Sequence, residues 1–223
     1  LLTSVSTTAE DLMKQAAIGF RVHSGWSAMV AVRVEKGAPT VLDRQRAHLV
    51  ETFTYRFRQP YHTAEKLGLA EGREFISRAQ AEARTLAHRA IHELQLRLQE
   101  RGYELSRCAL LLASGRPLPE LEKILASHAL IHTADGELFR ESLLHASARC
   151  GLGVVCIKER ELLEQAARAL RVPRGRLLPR VTALGRPFGA PWSQDEKFAT
   201  LAAWIAARDS KQSSRRAITG RPA

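Results

Sequence analysis

The densest set of reactive side chains lies in SHALIHTADGELFRESLLHA, which brings together Ser127, His128, His132, Asp135, Glu137, Arg140, Glu141 and His145. His128 and His132 stand four apart, so on a helix both imidazoles share a face, a spacing that can hold one metal ion. This is not the HExxH arrangement of zinc proteases, because Ala129 follows His128 and the glutamate base is missing. A third ligand would have to be Asp135, Glu137 or a residue from elsewhere. Gly136 is expected to re-aim the chain so that Glu137 and Glu141 open a second helix beside an acid-lined cleft. On that reading His128, His132, Glu137 and Glu141 are the catalytic candidates of a metal-dependent hydrolase, with Asp195 and Glu196 as further metal ligands. The plainer alternative is that the histidines pack and the acids cap and solvate the next helix.

Two other polar groups stand out. His23, Ser24, Gly25 and Trp26 place an imidazole, a hydroxyl and an indole around a glycine turn, and Tyr61 and His62 follow Pro60. These residues are candidates for a small polar pocket, or for a protein-binding loop built on Trp26 and Tyr61. His88 and His92 repeat the four-residue spacing, but Arg89, Glu93 and Arg97 around them mark a solvent-facing side. The sequence contains no GxxxxGK[ST], GxGxxG or GxSxG, which removes the main support for P-loop, dinucleotide-binding and α/β-hydrolase readings.

The elements that must position these groups follow from hydrophobic periodicity. Residues 18–23 (IGFRVH) and 27–34 (SAMVAVRV) are β-branched runs separated by a Gly turn. In the second, Ala28, Val30, Val32 and Val34 alternate with Met29, Ala31 and Arg33, as in a half-buried strand. Residues 40–49 return as a third, outer strand protected by Arg44, Arg46 and His48, completing an antiparallel meander. Thr63 is a candidate cap for the helix that follows. From about residue 71 to 101, Phe75, Ile76, Ala79, Ala83, Leu86, Ala87, Ala90, Ile91, Leu94 and Leu98 keep helical spacing, and Gly102 stops the helix. Residues 108–113 are a buried strand and 118–149 a helical region broken at 133–136. Another buried strand spans 154–157 and another helix 159–170, while 171–191 read as a long connection. A last helix is capped by Ser193, with acids in its first turn.

The chain has 223 residues with 45% hydrophobic and 26% charged side chains, the composition of a folded protein rather than a disordered one. It has no apolar run long enough to span a membrane and no signal-peptide pattern, so a cytoplasmic location is expected. The three cysteines, Cys108, Cys150 and Cys156, have no CxxC spacing; Cys108 and Cys156 read as buried strand residues of a reducing compartment. Formal net charge is +11. Much of it sits in two places: Arg171, Arg174, Arg176, Arg180 and Arg186 with no intervening acid, and a tail with Arg208, Lys211, Arg215, Arg216 and Arg221. Arg171, Arg174, Arg176, Arg180, Arg215 and Arg216 are therefore candidates for contact with nucleic acid or another polyanion, the alternative being a solvated loop and end. No aromatic residue interleaves with them, so stacking on unpaired bases is not indicated there.

Three antiparallel strands followed by alternating helix and strand, over residues 18–207, resemble the ribonuclease H-like fold of ribonucleases H, Holliday-junction resolvases and integrases. GFRVHSGWSAMVAV is similar to the first hairpin of such proteins, and QDEKFATLAAWIAA resembles their final helix. The resemblance implies two-metal phosphodiester hydrolysis by carboxylates on the first strand, the middle strand or following helix, and the last helix. Only Asp195 and Glu196 match an acidic position of that pattern. The first strand offers Arg21 and His23 instead of an acid, and CALLLAS offers none. The expected architecture is α/β: a mixed sheet with an antiparallel three-strand opening meander and flanking helices. The expected organisation is a flexible segment at 1–17, one domain at 18–207 and a basic, disordered tail at 208–223. Three functional readings remain open: a non-catalytic nucleic-acid or polyanion binder, a Mg²⁺- or Mn²⁺-dependent phosphodiester hydrolase, and a protein-interaction domain.

Overall fold

Alternation of apolar side chains along the strands, with helices of matching apolar faces, dictates a layered molecule. The computed structural model describes residues 13–113 and 117–219, with side chains as far as Arg208. Strands β1 (Lys14–His23), β2 (Trp26–Glu35) and β3 (Ala38–His48) form the antiparallel meander, and β4 (Tyr103–Leu112) and β5 (Gly153–Lys158) add in parallel. The sheet order is β3-β2-β1-β4-β5, which leaves the Arg-bearing β3 at one edge, as its charge pattern predicts.

The two faces carry separate cores. Ala16, Ile18, Phe20 and Val22 of β1 point toward one side. There they meet α2 (Pro60–Ala64), α3 (Leu69–Glu100) and α5 (His128–Arg149); the short α1 (Tyr55–Arg58) and α4 (Leu121–Leu125) border this layer. The alternate residues Ala17, Gly19, Arg21 and His23 face the other layer, made of α6 (Leu162–Leu170), α7 (Arg174–Leu184) and α8 (Gln194–Thr219). Gly19 is essential to that packing: a Cβ there would lie 1.9 Å from the Ala199 carbonyl oxygen and 2.7 Å from the Ala203 nitrogen. Only a glycine lets α8 lie directly on β1.

Several expectations need correction. Strand β1 starts at Lys14, inside the segment expected to be flexible, while residues 1–12 lie outside the described residues. Thr63 lies within α2, and Gly68 holds the N-cap position of α3. Helix α5 runs unbroken through Gly136, and the break falls earlier, between α4 and α5. Burial of Ile131, Ala134, Leu138, Phe139 and Leu143 along one face outweighs the ~1 kcal/mol cost of an interior glycine. The stretch expected as a connection contains α7, anchored by buried Leu177 and Val181 one turn apart and tolerating Pro179 inside. Strand β5 is the far edge, so Cys156 is exposed and only Ile157 is fully buried. Helix α8 continues along its backbone to Thr219, into the expected tail; the side chains of Arg215 and Arg216 lie outside the described residues.

Candidate functional site

Parallel pairing of β1, β4 and β5 brings the carboxyl end of β1, the segment after β5 and the first turn of α8 together. Arg21 reaches across this junction. Its Nε and Nη2 donate to the two carboxylate oxygens of Glu159, at 3.1 and 2.7 Å, a bidentate pair, and its Nη1 donates to Asp195 Oδ1. His23 Nε2 lies 2.9 Å from the same Asp195 oxygen, and the Phe198 ring lies 5.0 Å from the guanidinium. Hydrogen bonding to Glu159, with the charges of Glu159 and Asp195, raises the Arg21 pKa above its ordinary value despite partial burial. The guanidinium is therefore a fixed cation holding two carboxylates from distant elements.

Glu196 is engaged separately. It accepts from the Ser193 amide at 2.8 Å and the Ser193 hydroxyl at 2.5 Å, while Ser193 Oγ accepts from the Asp195 amide at 3.1 Å. Ser193 thus caps α8 as its sequence predicts, and Glu196 closes a reciprocal capping arrangement. Asp195 faces the junction and Glu196 serves the helix.

The His-rich stretch is organised differently from the hydrolase reading. Glu137 pairs with Arg140 at 3.0 Å, and Glu141 with Arg84 at 2.5 Å and Gln80 at 2.8 Å. His128 and His132 instead meet His62 of α2, and the ligand atoms of the three imidazoles all lie within 4.8 Å of one another. Asp135, almost fully buried, holds His62 from behind, with Oδ2 2.5 Å from Nδ1; its Oδ1 accepts the Tyr61 amide at 2.7 Å. That amide is an N-terminal donor of α2, which has no side-chain cap of its own, so Asp135 supplies one from α5. Burial raises the Asp135 pKa, and the His62 and Tyr61 hydrogen bonds oppose the rise.

The pocket candidates divide between two clefts. His23 and Ser24 line one, together with His132, Thr133, Gly136 and Arg140. Tyr61 lines the other with Gln80, Glu137 and Glu141. Trp26 stacks on His23 with centroids 4.3 Å apart, and the Arg46 guanidinium lies 3.7 Å from the indole centroid. Arg58 packs 4.4 Å from the exposed Phe53 ring and donates to the Ser24 carbonyl at 3.2 Å. The hairpin end is thus an Arg–aromatic cluster. Sequence reasoning missed Arg46, Phe53, Arg58 and Glu159, because nothing in the local pattern joins residues so far apart along the chain. His88 and His92 lie side by side on α3 at 5.9 Å, away from both clefts.

Arg171, Arg174, Arg176 and Arg180 are exposed on the α8-bearing side, Arg171 ending α6 and the others on α7. None has an acidic partner among the described residues, and Arg180 stacks over buried Trp204 at 5.0 Å.

No family model and no curated protein matches the sequence. Among solved structures, the chain is similar to Thermus thermophilus RuvC in complex with a Holliday junction substrate. That likeness has a TM-score of 0.53 and 11% identity over 91% of this chain and 97% of the other. The chain is also similar to Thermus thermophilus RuvC alone, with a TM-score of 0.50 and 14% identity over 89% and 96% of the two chains. The fold is ribonuclease H-like. Within the ribonuclease H-like sheet, β1 is the strand on which the resemblance implies a metal-binding acid, and here its residues at the α8 junction are Arg21 and His23. Among the described residues, the one group of three metal-ligating side chains within coordination reach is the His62, His128, His132 cluster, which includes neither Asp195 nor Glu159. None of the described helices is long and apolar enough to cross a membrane.

Proposed function

We propose that this chain is a ribonuclease H-like domain that binds nucleic acid and leaves it intact. The observation that carries the reading is Arg21. Two-metal hydrolysis needs carboxylates free to take hard divalent cations. Asp195 and Glu159 are instead both engaged by the Arg21 guanidinium. A Mg²⁺ ion approaching that junction meets a cation of like sign and two acids already paired.

Binding is supported by the arginines of α7, which have no acidic partner among the described residues, and by Arg46 and Arg58 at the hairpin end, cations that can meet phosphates. The fold is shared with a RuvC solved in complex with a Holliday junction substrate. The test is fluorescence anisotropy with a labelled branched DNA at rising salt, for the parent chain and for Arg174→Glu/Arg176→Glu/Arg180→Glu. The parent is expected to bind with affinity that falls steeply with salt. The triple variant loses affinity and shows a shallower slope, by ~0.9 for each phosphate contact removed. Absence of binding, or binding indifferent to salt and to the triple change, contradicts the proposal.

A further inference from the structure

We infer that His62, His128 and His132 form a binding site for one divalent transition-metal ion of the zinc class, with Asp135 positioning His62. The inference is independent of the nucleic-acid reading, since it rests on different side chains. Three imidazoles from two helices converge: buried His62 from α2, and His128 and His132 from the first turns of α5. The Nε2 atoms of His128 and His132 face each other at 3.0 Å. Four-coordinate zinc with Zn–N bonds of ~2.0 Å sets its ligand nitrogens about 3.3 Å apart, so this pair needs only a slight opening to hold an ion.

Asp135 supplies the second half of the argument. Its Oδ2 engages His62 Nδ1, which leaves Nε2 as the free ligand atom and fixes the ring orientation. Such a carboxylate behind an imidazole is the usual support of a histidine metal ligand. Asp135 is itself held by the Tyr61 amide and almost wholly buried, so its support is rigid. All three ligands are nitrogen, which selects borderline ions such as Zn²⁺, Co²⁺ or Ni²⁺ and disfavours Mg²⁺, whose preferred ligands are oxygens. His128 and His132 are exposed, so a fourth position stays open to water on the side of the cleft lined by His23, His132 and Arg140.

The test is calorimetric titration of Zn²⁺ into the full chain without an affinity tag, with Co²⁺ absorption as a report of coordination number. One ion per chain is expected, with the visible bands of four-coordinate cobalt. His128→Ala and His132→Ala, both at exposed positions that leave the core untouched, are each expected to abolish this uptake. Asp135→Asn is expected to weaken it by about 10- to 100-fold. His88→Ala/His92→Ala, on the distant α3 pair, leaves it unchanged. No uptake of Zn²⁺ at micromolar concentration, or uptake that survives His128→Ala and His132→Ala, overturns the inference.

Discussion

Arg21 joins three elements, tying Glu159 after β5 and Asp195 of α8 to the end of β1. Its side chain is 17% exposed, and removing it takes the guanidinium from Glu159 and leaves Asp195 only its contact with His23. Because the pairs are partly solvated, Arg21→Ala is expected to cost about 1–2 kcal/mol, measured by urea denaturation, rather than the larger penalty of a fully buried pair. Arg21→Asp is expected to go further and place three carboxylates at the junction. That variant should gain thermal stability on addition of Mn²⁺ while the parent does not respond. A second residue-scale prediction concerns the thiols. Burial pushes the Cys108 thiol up to about 11, so it stays protonated and inert at neutral pH, whereas Cys156 is exposed on β5. Iodoacetamide labelling followed by peptide mass analysis is expected to mark Cys156 in the native protein and Cys108 only after unfolding. At this scale the sequence exposed part of the site. The misfit of Arg21 to an acid position and the metal spacing of His128 and His132 were both visible. Glu159 was not, because its pairing with Arg21 spans 138 residues. The role of His62 as third imidazole depends on the packing of α2 against α5, which no local spacing encodes.

Elements carry the site into register. The contact of α8 with β1 sets how far Asp195 stands from Arg21, and Gly19 sets that contact. Gly19→Ala would drive a methyl group into the backbone of α8, so a loss of about 3 kcal/mol or more, or failure to fold, is expected by chemical denaturation. Strong periodicity made the major elements legible: α3 buries Phe75, Ile76, Ala83, Ala87, Ile91, Leu94 and Leu98 along the expected face. The errors arose where local chemistry and tertiary packing disagree. Gly136 reads as a break, yet the apolar face of α5 continues through it. Pro173, Pro179 and Gly185 read as a connection, yet Leu177 and Val181 anchor a helix among them. The buried, apolar look of GVVCIKE concealed an edge strand, because a short parallel strand reads the same at the centre of a sheet and at its margin.

At the scale of the whole molecule, the order of strands and helices was sufficient to place the chain in the ribonuclease H-like fold, since three meander strands followed by crossover helices admit few arrangements. Function was less legible, because the fold hosts chemistry only where particular side chains supply it. The proposal of binding without cleavage rests on the departures at β1, where Arg21 engages both Glu159 and Asp195, and on exposed arginines of α7 that have no acidic partner among the described residues. The most direct test places a labelled branched DNA with the purified full chain in Mg²⁺ or Mn²⁺ and follows complex formation and strand integrity in the same sample. The account predicts a salt-sensitive complex in which the DNA stays uncut. Divalent-ion-dependent cleavage that disappears in Asp195→Asn would contradict it and restore the hydrolase.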